Sequence, residues 1–183
     1  MTYPIYTIGH STRTVAELAA LLRQVGVELL VDIRTVPRSR TNPQFNADVL
    51  PGALAPFGIS YRHLPALGGL RHRAKGERPS PNVAWRNDAF RNYADYAMTE
   101  PFRDGLAELR GLAHEHCCAI MCAEAVWWRC HRRIVSDYLL AAGEEVVHIM
   151  ALGKLDPARL SPAAQPQPNG TILYAGEVTG PLL

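Results

Sequence analysis

Apolar and polar positions along the 183 residues repeat with two periods, and the switches between them mark the elements. Tyr3 to Ile8 is a short β-branched and aromatic run stopped by Gly9, the pattern of a buried strand. Thr14 and Glu17 carry the capping-box signature, and Val15, Leu18, Ala19, Leu22 and Val25 recur at helical spacing until Gly26. Leu29 to Ile33 is a second apolar run, so strand, helix and strand follow one another as a βαβ unit. Further strands are expected at 58–63, 117–121 and 145–149, with a last short one at 171–174. Helices are expected at 46–57, broken by Pro51 and Pro56, and at 88–98, 101–115 and 129–142. The fold class read from this alternation is α/β, a single domain over 1–183 whose mostly parallel β-sheet has helices on both faces. The stretch 151–183, rich in proline, is expected to wrap the same domain as an extension.

Composition and charge narrow the classes of function. A hydrophobic content of 48% excludes a disordered chain, and the formal net charge of +2 excludes a polyelectrolyte. No apolar run approaches the roughly 20 residues of a membrane span, so no membrane partner and a cytoplasmic location are expected. Four cysteines, Cys117, Cys118, Cys122 and Cys130, lie too close together for a disulfide framework of the whole domain. The charge is uneven: residues 34–91 hold nine arginines and Lys75 against Asp48, Glu77 and Asp88. Within that basic segment the stretch 65–87 has no periodicity and is expected to be a loop, read either as a basic flap closing over phosphate or nucleic acid or as a solvated surface.

The chemistry concentrates where strands end. In a parallel sheet the carboxyl ends of the strands open on one edge, where ligands bind. Cys122 ends one such strand ahead of a helix amino terminus, where backbone N–H groups and the helix dipole favour a thiolate; it is read as the nucleophile or redox-active thiol. Glu124 and His131 are read as acid/base groups, and Cys130 as an inward-pointing structural residue. His10, Asp32, Arg34, Arg38, Arg40 and Arg132 are read as substrate-binding, with Arg34 and Arg132 as an anion clamp. Asp32 and Arg34 are expected to face opposite sides of their strand, so that one of them at most lines a given pocket. The segment from Cys122 to Arg129 contains no glycine, and Trp127 and Trp128 make it bulky for a nest of amides around phosphate. Each tryptophan is either a stacking surface or core. No organic cofactor is implied, because neither a Gly-x-Gly-x-x-Gly nor a Walker motif is present.

Tyr6 to Ser11, Val31 to Arg34 with Pro37 and Ser39-Arg40, Pro43 to Phe45, Gly58 to Tyr61, Leu67 to Gly69, Met121 to Glu124, Cys130 to Arg132 and His148-Ile149 occur in this order. Together they resemble the bacterial and archaeal domain of unknown function family 488, over about Tyr3 to Met150. The resemblance implies a cytoplasmic α/β domain with its motif residues at His10, Asp32, Arg34, Cys122, Glu124, Cys130, His131 and Arg132, and it implies no settled activity. The Ala-Val-Trp-Trp-Arg linker after Glu124 is less polar than is usual in the family.

The function expected from these residues is an enzyme acting on an anionic, phosphate-bearing substrate, a nucleotide or nucleic acid among them, at a Cys/Glu/His/Arg site. Two alternatives stand beside it. One is a non-catalytic nucleic-acid-binding module using the basic segment 34–91; the other is a metal-binding protein using Cys122, Cys130 and His131.

Overall fold

A computed structural model describes residues 3–73, 76 and 78–176 of the chain. Its centre is a six-stranded sheet in the order β3-β2-β4-β1-β5-β6. The strands are β1 (Ile5–Gly9), β2 (Leu29–Asp32), β3 (Ser60–His63), β4 (Cys118–Cys122), β5 (Val146–Ala151) and β6 (Lys154–Pro157). The first five run parallel, and β6 returns antiparallel on the edge. Mostly parallel sheets need both faces covered, and two helical layers do this. α1 (Val15–Arg23) and α2 (Leu50–Leu54) pack through Leu18, Leu22, Leu50 and Leu54 on Ile8, Leu30, Ala119 and Met121. On the other face α3 (Asp88–Ala97), α4 (Glu100–Glu115) and α5 (Arg132–Ala141) pack on Val31, Ile33, Cys118 and Ile120.

The helix signals in the sequence act as expected. Thr14 and Glu17 exchange both bonds of the capping box at the start of α1, and Pro101 sits in the first turn of α4. α5 begins at Arg132, three residues later than expected, because Trp127–Arg129 form a separate 3-10 turn and His131 is the residue before the helix. Residues 151–176 are less irregular than their prolines suggest. β6 extends the main sheet, and β7 (Ala164–Pro166) pairs antiparallel with β8 (Ile172–Tyr174). Tyr174 is buried against Trp85, and its hydroxyl donates to Asp137 at 2.8 Å.

The loop 65–87 is anchored over much of its length. Trp85 and Asn82 are fully buried, and the Arg71 guanidinium lies 3.6 Å above the Tyr96 ring while donating to the carbonyls of Pro65 and Gly68. This corrects the expectation of a free basic flap for the part around Arg71; Lys75 lies outside the described residues. No helix among the described residues is long and apolar enough to cross a membrane.

Candidate functional site

The carboxyl edge of the sheet is set by register. Gly9 pairs with Cys122 and Asp32 with Met121, so the ends of β1, β2 and β4 lie side by side. The chain leaving β4 crosses directly over Gly9, where a Cβ would overlap the carbonyl of Glu124; only glycine lets the two backbones approach this closely. His10 and Ser11 then donate their N–H groups to the carbonyls of Cys122 (2.9 Å) and Ala123 (3.0 Å), fixing the turn that carries the cysteine.

Behind this turn lies a cavity of about 380 Å³. Cys122, Cys130 and His131 line it, Val36, Leu70, Phe90 and Tyr93 supply apolar wall, and Glu124 and Arg129 are exposed on its lining. The Cys122 and Cys130 sulfurs are 2.7 Å apart and both residues are buried. Both are free thiols, as are Cys117 and Cys118 at the other end of β4.

The two thiols are not equivalent. Burial pushes Cys122 well above the usual thiol range, and its neighbour Cys130 raises it further. Burial also works against ionising Cys130, but three donors outweigh it: the Cys122 S–H, the Arg132 guanidinium and the Arg132 backbone N–H, 3.4 Å from the sulfur. The result is a thiol brought down to about 7. That backbone N–H belongs to the first turn of α5, one of the unpaired donors a helix leaves at its start. The expectation that Cys122 would receive this stabilisation is corrected on a simple ground. Nine residues separate Cys122 from the helix, whereas Cys130 stands two residues before it.

Arg132 itself is 1% exposed, and among the described residues no carboxylate pairs with it. It donates to the Glu124 carbonyl (2.7 Å) and the Thr7 hydroxyl (3.3 Å), while its Nε has no partner. Thr7 passes the polarity on: its hydroxyl accepts from Arg132 and donates to Nδ1 of His148 at 2.7 Å. Burial, and then Arg132, lower His148 to about 4, so it is neutral. Trp127 stacks on that ring at 4.4 Å, which resolves its two readings in favour of packing.

His131 is oriented by two contacts. A carbonyl only accepts, so the 2.9 Å contact with the Ile33 oxygen places the proton on Nε2 and leaves Nδ1 as an acceptor, 3.4 Å from the Cys130 sulfur. Burial lowers the ring below its ordinary pKa. Gly69 makes room for it, since a Cβ there would overlap the imidazole. Within Leu67-Gly-Gly-Leu70 this clearance is what the second glycine supplies.

The other predicted residues form a second cluster on the α1/α2 face. Asp32 and Arg34 share one face, as residues two apart on a strand must, which corrects the expectation of opposite sides. Arg34 donates through Nε and a terminal nitrogen to the Asp32 carboxylate, the shortest contact being 2.6 Å, and also to the Phe45 carbonyl. Tyr61 donates a further bond to Asp32 at 2.7 Å. His10 donates from Nδ1 to the Ser11 carbonyl and accepts from Arg34 at Nε2, with its ring stacked on Phe45. Arg34 reaches the cavity wall but its donors are engaged, and Arg132 lies buried behind the sulfurs; neither is a free clamp. Arg38 and Arg40 are exposed on the loop after β2 and do not line the cavity.

Of the residues singled out in the sequence, Cys122 and His131 line the cavity and Arg132 stands behind it, together with Cys130, which was read as structural. The available signal was its place two residues before a helix start with an arginine next in line. Among the described residues no group of three His, Cys, Asp or Glu side chains is arranged to hold a metal ion. The family model described as domain of unknown function DUF488 matches residues 14–139, a span that holds Cys122, Cys130, His131 and Arg132. No curated protein and no solved structure matches the chain.

Proposed function

Because the chain belongs to the DUF488 family, whose matched span holds this dithiol, we propose that it is a cysteine-dependent enzyme with Cys130 as the nucleophile, acting on a small anionic substrate. The observation that carries the reading is the contact of the two thiols, with the Arg132 backbone N–H directed at the Cys130 sulfur and the buried Arg132 guanidinium close by. A thiolate, not a thiol, is the attacking species, and a buried guanidinium without a carboxylate partner favours an anion beside it.

In this mechanism Arg132 positions and stabilises the Cys130 thiolate, and His131 takes the proton at Nδ1 when Cys130 is protonated. Cys122 keeps its proton at the contact. Arg129, exposed at the cavity, meets an acidic group of the substrate, a phosphate or a carboxylate. A cavity of about 380 Å³ with buried sulfurs suits a small molecule better than a polymer. The nucleic-acid reading is weakened by how the basic segment is used: Arg34, Arg62, Arg71 and Arg91 are engaged within the fold.

The test compares two alkylating probes of the same size, neutral iodoacetamide and anionic iodoacetate, on the reduced protein. Cys130 is expected to react ahead of Cys117 and Cys118 with both, and Arg129→Ala to slow iodoacetate several-fold while leaving iodoacetamide unchanged. Preferential reaction of Cys117 or Cys118 overturns the nucleophile; an iodoacetate rate indifferent to Arg129→Ala overturns the anionic substrate.

A further inference from the structure

The proposed nucleophile already touches a second thiol, and a simple acyl or alkyl transfer leaves that thiol without a task. A disulfide holds its sulfurs about 2.0 Å apart. At 2.7 Å the two sulfurs are less than one ångström from that separation. The pair is reached from the cavity, and the wall there is largely apolar: Val36, Leu70, Phe90 and Tyr93.

We infer that the dithiol reduces organic hydroperoxides, with Cys130 as the attacking sulfur and Cys122 as the sulfur that resolves the product into a Cys122–Cys130 disulfide. This rests on the reading of Cys130 as a thiolate, names an electrophile for it, and does not depend on the anionic group placed at Arg129.

The Cys130 thiolate attacks the terminal oxygen of ROOH; the sulfur–oxygen bond forms, the oxygen–oxygen bond breaks, and Cys130 becomes a sulfenic acid. The departing alkoxide takes the proton of Cys122 and leaves as ROH. Cys122, now a thiolate, attacks the Cys130 sulfur and expels hydroxide, forming the disulfide. Two electrons pass from the two sulfurs to the peroxide. A dithiol reductant returns the pair to two thiols and is itself oxidised to a disulfide. The asymmetry of the pair suits this order: the thiol that ionises attacks, and the one that keeps its proton supplies it to the leaving group before it acts in turn.

The other two cysteines are internal controls. Cys117 donates to the Val25 carbonyl at the opposite end of β4, and Cys118 is fully buried on the sheet face. Neither contacts a second sulfur at the cavity.

The experiment uses the full reduced chain and cumene hydroperoxide. One equivalent of cumyl alcohol per chain is expected without reductant, with a peptide map showing a Cys122–Cys130 disulfide and Cys117 and Cys118 still open to alkylation after denaturation. Dithiothreitol should convert this single event into many turnovers. In Cys122→Ser the single oxidation should persist as a dimedone-trapped sulfenic acid on Cys130, with the disulfide lost. If Cys130 alkylates with a midpoint near 7 but the peroxide leaves the pair reduced, or oxidises all four cysteines alike, the peroxide inference is overturned and the nucleophile reading stands. If Cys130 also fails to alkylate ahead of the others, both fail.

Discussion

Arg132 supports Cys130 in two ways: its backbone N–H points at the sulfur from 3.4 Å, and its buried guanidinium has no carboxylate partner among the described residues. Replacing the side chain leaves the first contact and removes the second. Arg132→Gln is therefore expected to move the Cys130 midpoint from about 7 toward the free-thiol value of about 8.5. Thiolate ultraviolet absorbance against pH, on a variant shown to be folded by circular dichroism, measures this. A midpoint that does not move denies the guanidinium its role.

The Asp32–Arg34 pair is predicted to hold the fold and not the substrate. Both side chains are buried and every acceptor of Asp32 faces a donor, so Asp32→Ala leaves an uncompensated guanidinium. Breaking such a pair costs about 3–5 kcal/mol. Urea unfolding should show that loss, while the Cys130 midpoint of the folded variant stays near 7. A changed midpoint with little lost stability would return Asp32 to the chemistry.

Acid should destabilise the protein through His148. Its folded pKa, about 4, lies below the ordinary 6.5, so the unfolded chain binds the proton first as pH falls. Stability is then lost between pH 6.5 and 4 and changes little below that on this account. The full effect is about 3 kcal/mol. His10 and His131, lowered by burial, act in the same direction; Asp137, raised by burial, acts against them. His148→Asn keeps an acceptor for Thr7 and cannot titrate, so its stability should fall less steeply across this window. Parallel pH curves for the two proteins would contradict the assignment.

Gly69→Ala is predicted to displace the His131 ring and break its bond to the Ile33 carbonyl, costing on the order of 1–2 kcal/mol. Nitrogen NMR of the imidazole reads the tautomer directly. The wild type should carry its proton on Nε2, and the variant should lose that preference. An unchanged ring signal would mean the clearance at Gly69 is unimportant.

What could be read in the chain, and what could not, follows the range of the interactions. The Thr14–Glu17 capping box, the glycine stop at Gly26 and the placing of Cys122 at a strand end are local, and all were legible. The Asp32–Arg34 pairing was within reach of the same local reasoning, because alternation along a strand puts them on one face, but the two were misread as facing opposite sides. The contact of Cys122 with Cys130 was not: it depends on how the linker folds between β4 and α5, with Trp127 seated on His148 from β5. The anchoring of the 65–87 loop was hidden for the same reason, since Arg71 finds Tyr96 and Trp85 finds Tyr174 only in the folded molecule.

The central claim is that the reactive thiolate is Cys130, held by Arg132 beside a protonated Cys122. The most direct test is the pH dependence of iodoacetamide alkylation in the reduced wild-type protein, resolved cysteine by cysteine by mass spectrometry. The account predicts a midpoint near 7 at Cys130, with Cys122, Cys117 and Cys118 unreactive until far higher pH. Modification of Cys122 first, or a Cys130 that titrates like a free thiol, would contradict it.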